Sequence, residues 1–442
     1  MNVLSTLVES ANVQWVLVGT MLLGISSGVL GSFVVLRKQS LLGDAMAHAA
    51  LPGICFAFIF TGVKAVGLSL IGAAVTALFG AWAIQFITRY SRIKQDAALG
   101  IVLTVFFGFG VVLLTWIQNG NYGNHSGLDS FMFGQAASLV GRDVQVYIVI
   151  SLILILASIL FFKEFKLLSF DPGFGRGIGF PMGIVEVFLM VLVTCAVVVG
   201  LQAVGVVLMA AMLITPAIAA RYWTERLGVL AILAGIFGGI SGVTGTLFST
   251  MENGLSTGPL IVLSATGMFL ISLLLGSRRG LVALAFKRYK GQRKANLRTL
   301  LEAMARGIEK HRQSTVKSDT LLTLTGWTTG KLRRISRQAI RRGLVTKNED
   351  IYSFTRQGLN NAYEIVKEDR MEQLLLMYEH RFSGWRLARE NTHRLTDALP
   401  ASVLKELEDL MNEHGITPQL AAGFSGDKQL ASYPQEKGAF TK

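Results

Sequence analysis

VLRKQSLLGDAMAHAALPGICFAFIF, residues 35–60, sets an aspartate and a histidine inside a run that is otherwise almost wholly apolar beyond Arg37 and Lys38. Asp44 and His48 are four residues apart, one helical turn, and so share a face. Ionisable groups at membrane depth are costly, and where they survive they usually mark a pathway. Whether this segment lies in a membrane therefore decides both the fold and the meaning of the pair.

Composition answers that question. The chain divides near residue 277: residues 1–276 carry a net charge of +2 and residues 277–442 carry +12, which make up the total of +14. The first part is a series of long apolar runs rich in glycine, as membrane helix packing requires. The second is dense in charge, like an ordinary soluble domain. Cys55 and Cys195 both fall within apolar runs, where buried packing accounts for them and neither suggests a disulfide or a metal site. The first apolar run, 13–36, is long enough to span and has no cleavable-signal pattern.

The expected spans are 13–36, 44–61, 65–87, 97–117, 143–162, 182–201, 203–220, 228–249 and 258–276. Basic clusters at Arg37/Lys38, Arg89/Arg92/Lys94, Lys163/Lys166, Arg221/Arg226 and Arg278/Arg279 fall between spans in a consistent order. The positive-inside rule makes those sides cytoplasmic, with the N-terminus outside and the C-terminus inside. Nine spans result, or eight if one apolar piece is re-entrant or interfacial; DSFMFGQAASL (129–139) is such a piece. In LLSFDPGFGRGIGF (167–180), Asp171 followed by Pro172 reads as a helix start, with a cap and a first-turn proline. A short surface helix over 171–178 is expected there, and a plain connecting turn is the alternative.

Several separated motifs, in order, resemble the permease subunits of ATP-binding-cassette importers for manganese, zinc and iron. They are VLRKQSLLGDAMAHAALPG (35–53), IKQDAALGIVLTVFFGFGVVL (93–113), LSFDPGFGRGIG (168–179), LMAAMLITPAIAARYW (208–223) and GPLIVL (258–263), covering about residues 10–280. The resemblance implies a dimeric permease core, homo- or heteromeric, in a bacterial plasma membrane. It also implies a separate cytoplasmic ATPase and an extracytoplasmic lipoprotein that delivers the ion. No G-x-x-x-x-G-K-[ST] pattern occurs in the chain, so ATP hydrolysis belongs to a partner. The family's translocation site maps onto Asp44 and His48. Carboxylate oxygen with imidazole nitrogen suits a borderline divalent ion, and no thiolate is present to hold zinc tightly. The competing reading has Asp44 capping the second span and His48 bonding a backbone carbonyl. The loop helix resembles the family's coupling helix, which seats in a groove of the ATPase; Asp171, Phe174 and Arg176 are its candidate residues. Gly175 stands where the family usually has alanine, and glycine is the weaker helix former.

Other residues suggest structural roles. Asp96 opens a span where a carboxylate favours the helix N-terminus. Pro216 interrupts a membrane helix as a hinge or a static kink. His125, in NGNYGNHSG, is a loop histidine that could also meet a lipoprotein or an incoming ion.

Beyond the spans, residues 278–298 hold eight basic residues and no acid, a composition that favours anionic lipid. Helices over 297–312, 318–324 and 328–342, then a two-stranded wing in GLVTKNEDIYSFT, make a winged helix-turn-helix pattern. Lys331, Arg333, Arg334, Arg337, Arg341 and Arg342 on its third helix are candidates for contact with nucleic acid or lipid phosphate. TTGKLRRISRQAIRRGLV (328–345), FTRQG (354–358) and ENTHRLTDALPASVLKELEDL (390–410) resemble the diphtheria-toxin-repressor family of metal-dependent regulators. The chain departs from that family at its metal ligands: Asp369 and Gln373 stand in one ligand stretch and Thr392 in another. His393 keeps its type, and Glu372, Glu379 and His380 would have to supply any rearranged site. The tail 419–442 is polar and without periodicity, as disordered segments are.

The expected architecture is an all-α polytopic membrane protein of eight or nine spans with a small cytoplasmic winged-helix (α+β) domain. Its parts are a permease domain (1–280), a basic juxtamembrane linker (281–298), a repressor-like domain (299–418) and the tail. The expected function is import of a divalent ion, manganese first, with zinc or iron as alternatives. No nucleophile–base or nucleotide-binding pattern supports an enzyme. The reading from another class is a membrane-tethered transcription regulator. Between the two, the extension is expected to be a regulatory or structural appendage whose nucleic-acid affinity is weak.

Overall fold

The computed structural model describes residues 11–62, 66–119, 141–251, 255–378, 380, 399–418 and 420. His125, the 129–139 piece, Glu379, Thr392, His393 and the tail other than Leu420 lie outside the described residues. The chain forms two compact units, Met1–Ala285 and Phe286–Lys442.

The first unit is helical. Its elements are α1 (Ala11–Leu36), α2 (Leu42–Thr61), α3 (Val66–Tyr90), α4 (Gln95–Asn119), α5 (Gly141–Leu160) and α6 (Phe162–Phe170). They continue with α7 (Pro172–Gly177), α8 (Met182–Val204), α9 (Val206–Arg221), α10 (Leu227–Met251) and α11 (Thr257–Leu275). Among the described residues seven are long and apolar enough to cross a membrane, or eight if the pair α5–α6, bent by 66°, is one broken span. The ninth expected span, 203–220, corrects to the 16-residue α9. At 1.5 Å per residue it is about 24 Å long, short of a hydrocarbon core of about 30 Å. Gly205 turns the chain between α8 and α9 at φ +96°, ψ 160°, a conformation essentially reserved for glycine. The turn brings Met209 against Gly200, where a Cβ would lie 2.2 Å from the Met209 sulfur. α9 runs on through Pro216 without a break.

In lipid, helix association has no hydrophobic driving force, so interfaces rely on small residues and close packing. α1 and α10 meet at backbone distance. A Cβ on Gly24 would lie 2.2 Å from the Gly238 carbonyl oxygen, and one on Gly28 2.2 Å from that of Ala234. Thr20 and Thr246 share a hydroxyl–hydroxyl hydrogen bond of 3.0 Å at the same crossing. α2 and α3 meet in the same way through Gly53 and Gly72. The outward side of α3 carries a ladder of rings, Phe79, Trp82, Phe86 and Tyr90, each at least half exposed as lipid-facing residues are.

The second unit begins within α12 (Leu281–His311), so residues 281–298 are helical and continue unbroken into the following segment. Then come β1 (Thr315–Lys317), α13 (Ser318–Thr325), α14 (Thr329–Arg341), β2 (Val345–Asn348), β3 (Ile351–Phe354), α15 (Arg356–Met377) and α16 (Ala401–Glu413). β2 and β3 form the expected antiparallel hairpin, and β1 adds to it in the order β1-β3-β2. Leu297, Leu300, Leu301, Met304 and Ile308 give α12 an apolar face that packs with Leu321, Leu332, Ile335, Tyr352 and Phe354. A second core joins α15 to α16 through Met371, Leu374, Leu407 and Met411. Lys367 and Glu408 bridge the same helices at 2.5 Å. Burial alone would lower the Lys367 pKa, but the hydrogen bond and charge of Glu408 outweigh it and raise the value.

Gly28→Val is expected to cost about 1–3 kcal/mol or more, because overpacking a backbone contact forces the helices apart. Gly267→Ala, with nothing within 4 Å of the added carbon, is expected to be neutral. Apparent Tm and the yield of monodisperse detergent-solubilised protein would measure both.

Candidate metal site and coupling loop

Asp44 is the third residue of α2 and His48 follows one turn later. His48 Nε2 lies 3.3 Å from Asp44 Oδ1, with the imidazole 13% and the carboxylate 30% exposed. The residue before α2, Leu41, makes no side-chain cap bond. His48 Nδ1 is buried and has no hydrogen-bond partner among the described residues, and the Phe107 ring meets the imidazole edge-on with centroids 4.6 Å apart. Among the described residues no backbone carbonyl accepts a bond at Nδ1. What this arrangement offers chemically is one carboxylate and one imidazole on a single face, both partly accessible. Two donors are half of a tetrahedral set, and among the described residues no three His, Cys, Asp or Glu side chains come together.

The turn from α1 into α2 is held by an ion pair that the sequence does not reveal. Arg37, just after α1, pairs with Glu186 in α8. Lys38, beside it, adopts a left-handed φ of +58°. An acid inside an apolar run is the signal for Glu186, but its partner lies 149 residues away in the chain.

α7 is the expected loop helix. The Asp171 carboxylate accepts a 2.8 Å hydrogen bond from the Phe174 amide, and Pro172 occupies the first helical turn. Phe174 is 59% exposed, and Arg176 is exposed too. Gly175 is buried, and a Cβ there would lie 2.8 Å from the Met182 side chain. Glycine at this position lets α7 seat on the start of α8. Asp96 lies in the first turn of α4, as expected.

In the second unit, Lys331, Arg333, Arg334, Arg337 and Arg341 are exposed along α14, and Arg342 follows it. The candidate ligand positions on α15 are otherwise engaged. Asp369 meets Arg306 at 3.4 Å and accepts a hydrogen bond from Gln373 at 3.2 Å. Arg370 ties α15 to Glu309 and to the Ile416 carbonyl, both at 2.5 Å. Glu372 and His380 are not brought into a common cluster with other ligand types among the described residues.

Residues 9–276 match the family described as ABC 3 transport family. The chain belongs to that family. It is 45% identical over 439 residues to the manganese transport system membrane protein MntC of Bacillus subtilis, covering 97% of both chains. It is 46% identical over 288 residues to the zinc transport system membrane protein TroC of Treponema pallidum, covering 65% of this chain and 97% of that one. Among solved structures, PsaBC from Streptococcus pneumoniae in complex with Fab superposes with a TM-score of 0.56 at 32% identity, covering 64% of this chain and 98% of that one. Family membership thus rests on the first unit, and the second continues into a relative similar over almost its whole length.

Asp171→Ala is expected to destabilise α7 by about 1 kcal/mol, the usual cost of losing a cap. Faster hydrogen exchange at the Phe174 amide, with the spans unchanged, is the measurement.

Proposed function

We propose that the chain is the permease subunit of an ATP-driven importer carrying a divalent metal ion, manganese before zinc or iron, into the cytoplasm. The observation that carries this is the Asp44–His48 pair, with one imidazole nitrogen unpartnered, in a chain similar from end to end to a manganese permease. Carboxylate and neutral imidazole suit manganese and zinc alike. Transport needs reversible coordination, and a site without thiolate provides it. A second permease protomer supplies the matching pair, so that four protein ligands surround the ion. Zinc stays the second reading because the Treponema pallidum relative carries that name.

On this reading a separate ATPase binds ATP and an extracytoplasmic lipoprotein delivers the ion. α7 is the element that seats on the ATPase: Asp171 holds its first turn, Phe174 offers an exposed ring and Arg176 a cation. The order α13, α14, β2, β3 supports a winged-helix reading of the second unit, lying on the cytoplasmic side. It is an appendage that tunes transport. The competing tethered-regulator reading would need metal-dependent DNA binding, and Asp369 and Gln373 are poor starting material for it.

His48→Ala and Asp44→Ala are each expected to abolish manganese uptake while the protein still inserts and co-purifies with its ATPase. Radiomanganese uptake in cells lacking the native chain measures this, with zinc and iron run beside it. Wild-type uptake by His48→Ala would remove the ligand assignment, and loss of assembly would make the pair structural.

Phe174→Asp is expected to release the ATPase, because a charge buried at a protein contact is costly. Undiminished co-purification would exclude Phe174 from that contact.

A further inference from the structure

Two basic segments far apart in the chain meet at one tyrosine. The Tyr289 hydroxyl, on α12, accepts a hydrogen bond from Arg334 Nη2 on α14 at 3.2 Å. The Arg293 guanidinium sits 4.9 Å from the centroid of the same ring. The contact merges the basic start of α12 with the basic face of α14. Nothing within either stretch neutralises them, since neither 278–301 nor 326–348 contains an acidic residue. Arg279 with Glu225 at 3.4 Å, Arg298 with Glu368 at 3.3 Å and Lys347 with Asp350 at 4.0 Å are ion pairs near the ends of those stretches. Phe286, one turn before Tyr289, is 70% exposed. An exposed aromatic ring beside lysines and arginines is what an interfacial helix presents to headgroups.

We propose that this merged surface, the first turns of α12 with α14, rests on the anionic phospholipid of the membrane the chain spans. The inference builds on the permease reading. Tyr289 follows the end of α11, Leu275, by only 14 residues. Along α12 it lies about 12 Å from the helix start. Lipid is therefore always within reach, at an effective concentration that no free ligand matches. Duplex DNA is the disfavoured occupant for two reasons. Arg334, in the middle of the face that would enter a groove, is already bonded to α12. A polyanion brought this near an anionic bilayer is also repelled by it.

The test uses the full-length chain in nanodiscs of phosphatidylcholine, with or without phosphatidylglycerol, and follows hydrogen exchange across 286–294 and 329–341. Exchange in both segments is expected to slow when phosphatidylglycerol is present and to recover at high salt. Arg334→Gln and Arg337→Gln are each expected to weaken the effect about fivefold, the value of one basic residue near such a surface. Equal exchange in the two lipids would overturn the proposal. So would protection of 329–341 that appears only on adding duplex DNA, which would favour the regulator reading. Metal uptake by the wild-type chain is scored separately, so loss of the permease reading and loss of the lipid contact give different results.

Discussion

Everything in the first unit depends on how closely its helices approach. In a bilayer the apolar surface of one helix gains little by meeting another, since lipid is equally apolar. Contact must then come from packing and from polar groups the lipid cannot satisfy. Gly24 against Gly238 and Gly53 against Gly72 bring main chain to main chain, where dispersion is strongest per residue. The Thr20–Thr246 hydrogen bond is fixed at the first of these crossings. α1 becomes a fixed post against α10, and α2, which carries Asp44 and His48, packs on α3, α4, α8 and α9.

The charged residues then follow a pattern. Arg37 pairs with Glu186 through one guanidinium nitrogen at the corner where α1 turns into α2, so neither charge faces lipid alone. Asp44 and His48 touch each other at 3.3 Å, and His48 Nδ1, like Arg37 Nη1, is buried without a partner among the described residues. A buried polar atom left unpaired costs on the order of 1–3 kcal/mol. On the proposed reading, a divalent cation is what this carboxylate and imidazole would take up together.

Much of this is legible in the amino-acid sequence. The apolar runs locate the spans to within a few residues because span length is imposed by the bilayer rather than by neighbours. Asp171-Pro172 marks the start of α7 because capping is local chemistry. The Asp44–His48 pairing follows from helical spacing, although the ligand role comes from resemblance. What the sequence hides depends on distant contacts. The 66° bend between α5 and α6 leaves no local mark, since Phe161 between them is neither glycine nor proline. The shortness of α9 depends on Gly205, one glycine among many in this chain. β1 spans three residues, Thr315–Lys317, too few for alternation to show, and exists because β3 offers it an edge. Glu186 is explained only by Arg37, and Gly175 only by Met182.

On the proposed reading, one chain offers two donors, half of a tetrahedral set. If the second pair comes from another protomer, affinity depends on the distance between two copies of α2. Each α2 is pinned by its glycine contact to α3, and its start is pinned by Arg37 to α8. Met182, at the head of α8, packs on Gly175 in α7. A displacement of α7 therefore bears first on α8, and α8 is bonded to the corner from which α2 departs. Four ligands can be drawn together or separated by moving helices as rigid bodies, with no ligand changing its own rotamer. On the proposed reading a carboxylate–imidazole set would suit that use, since such a site without thiolate binds a divalent ion reversibly.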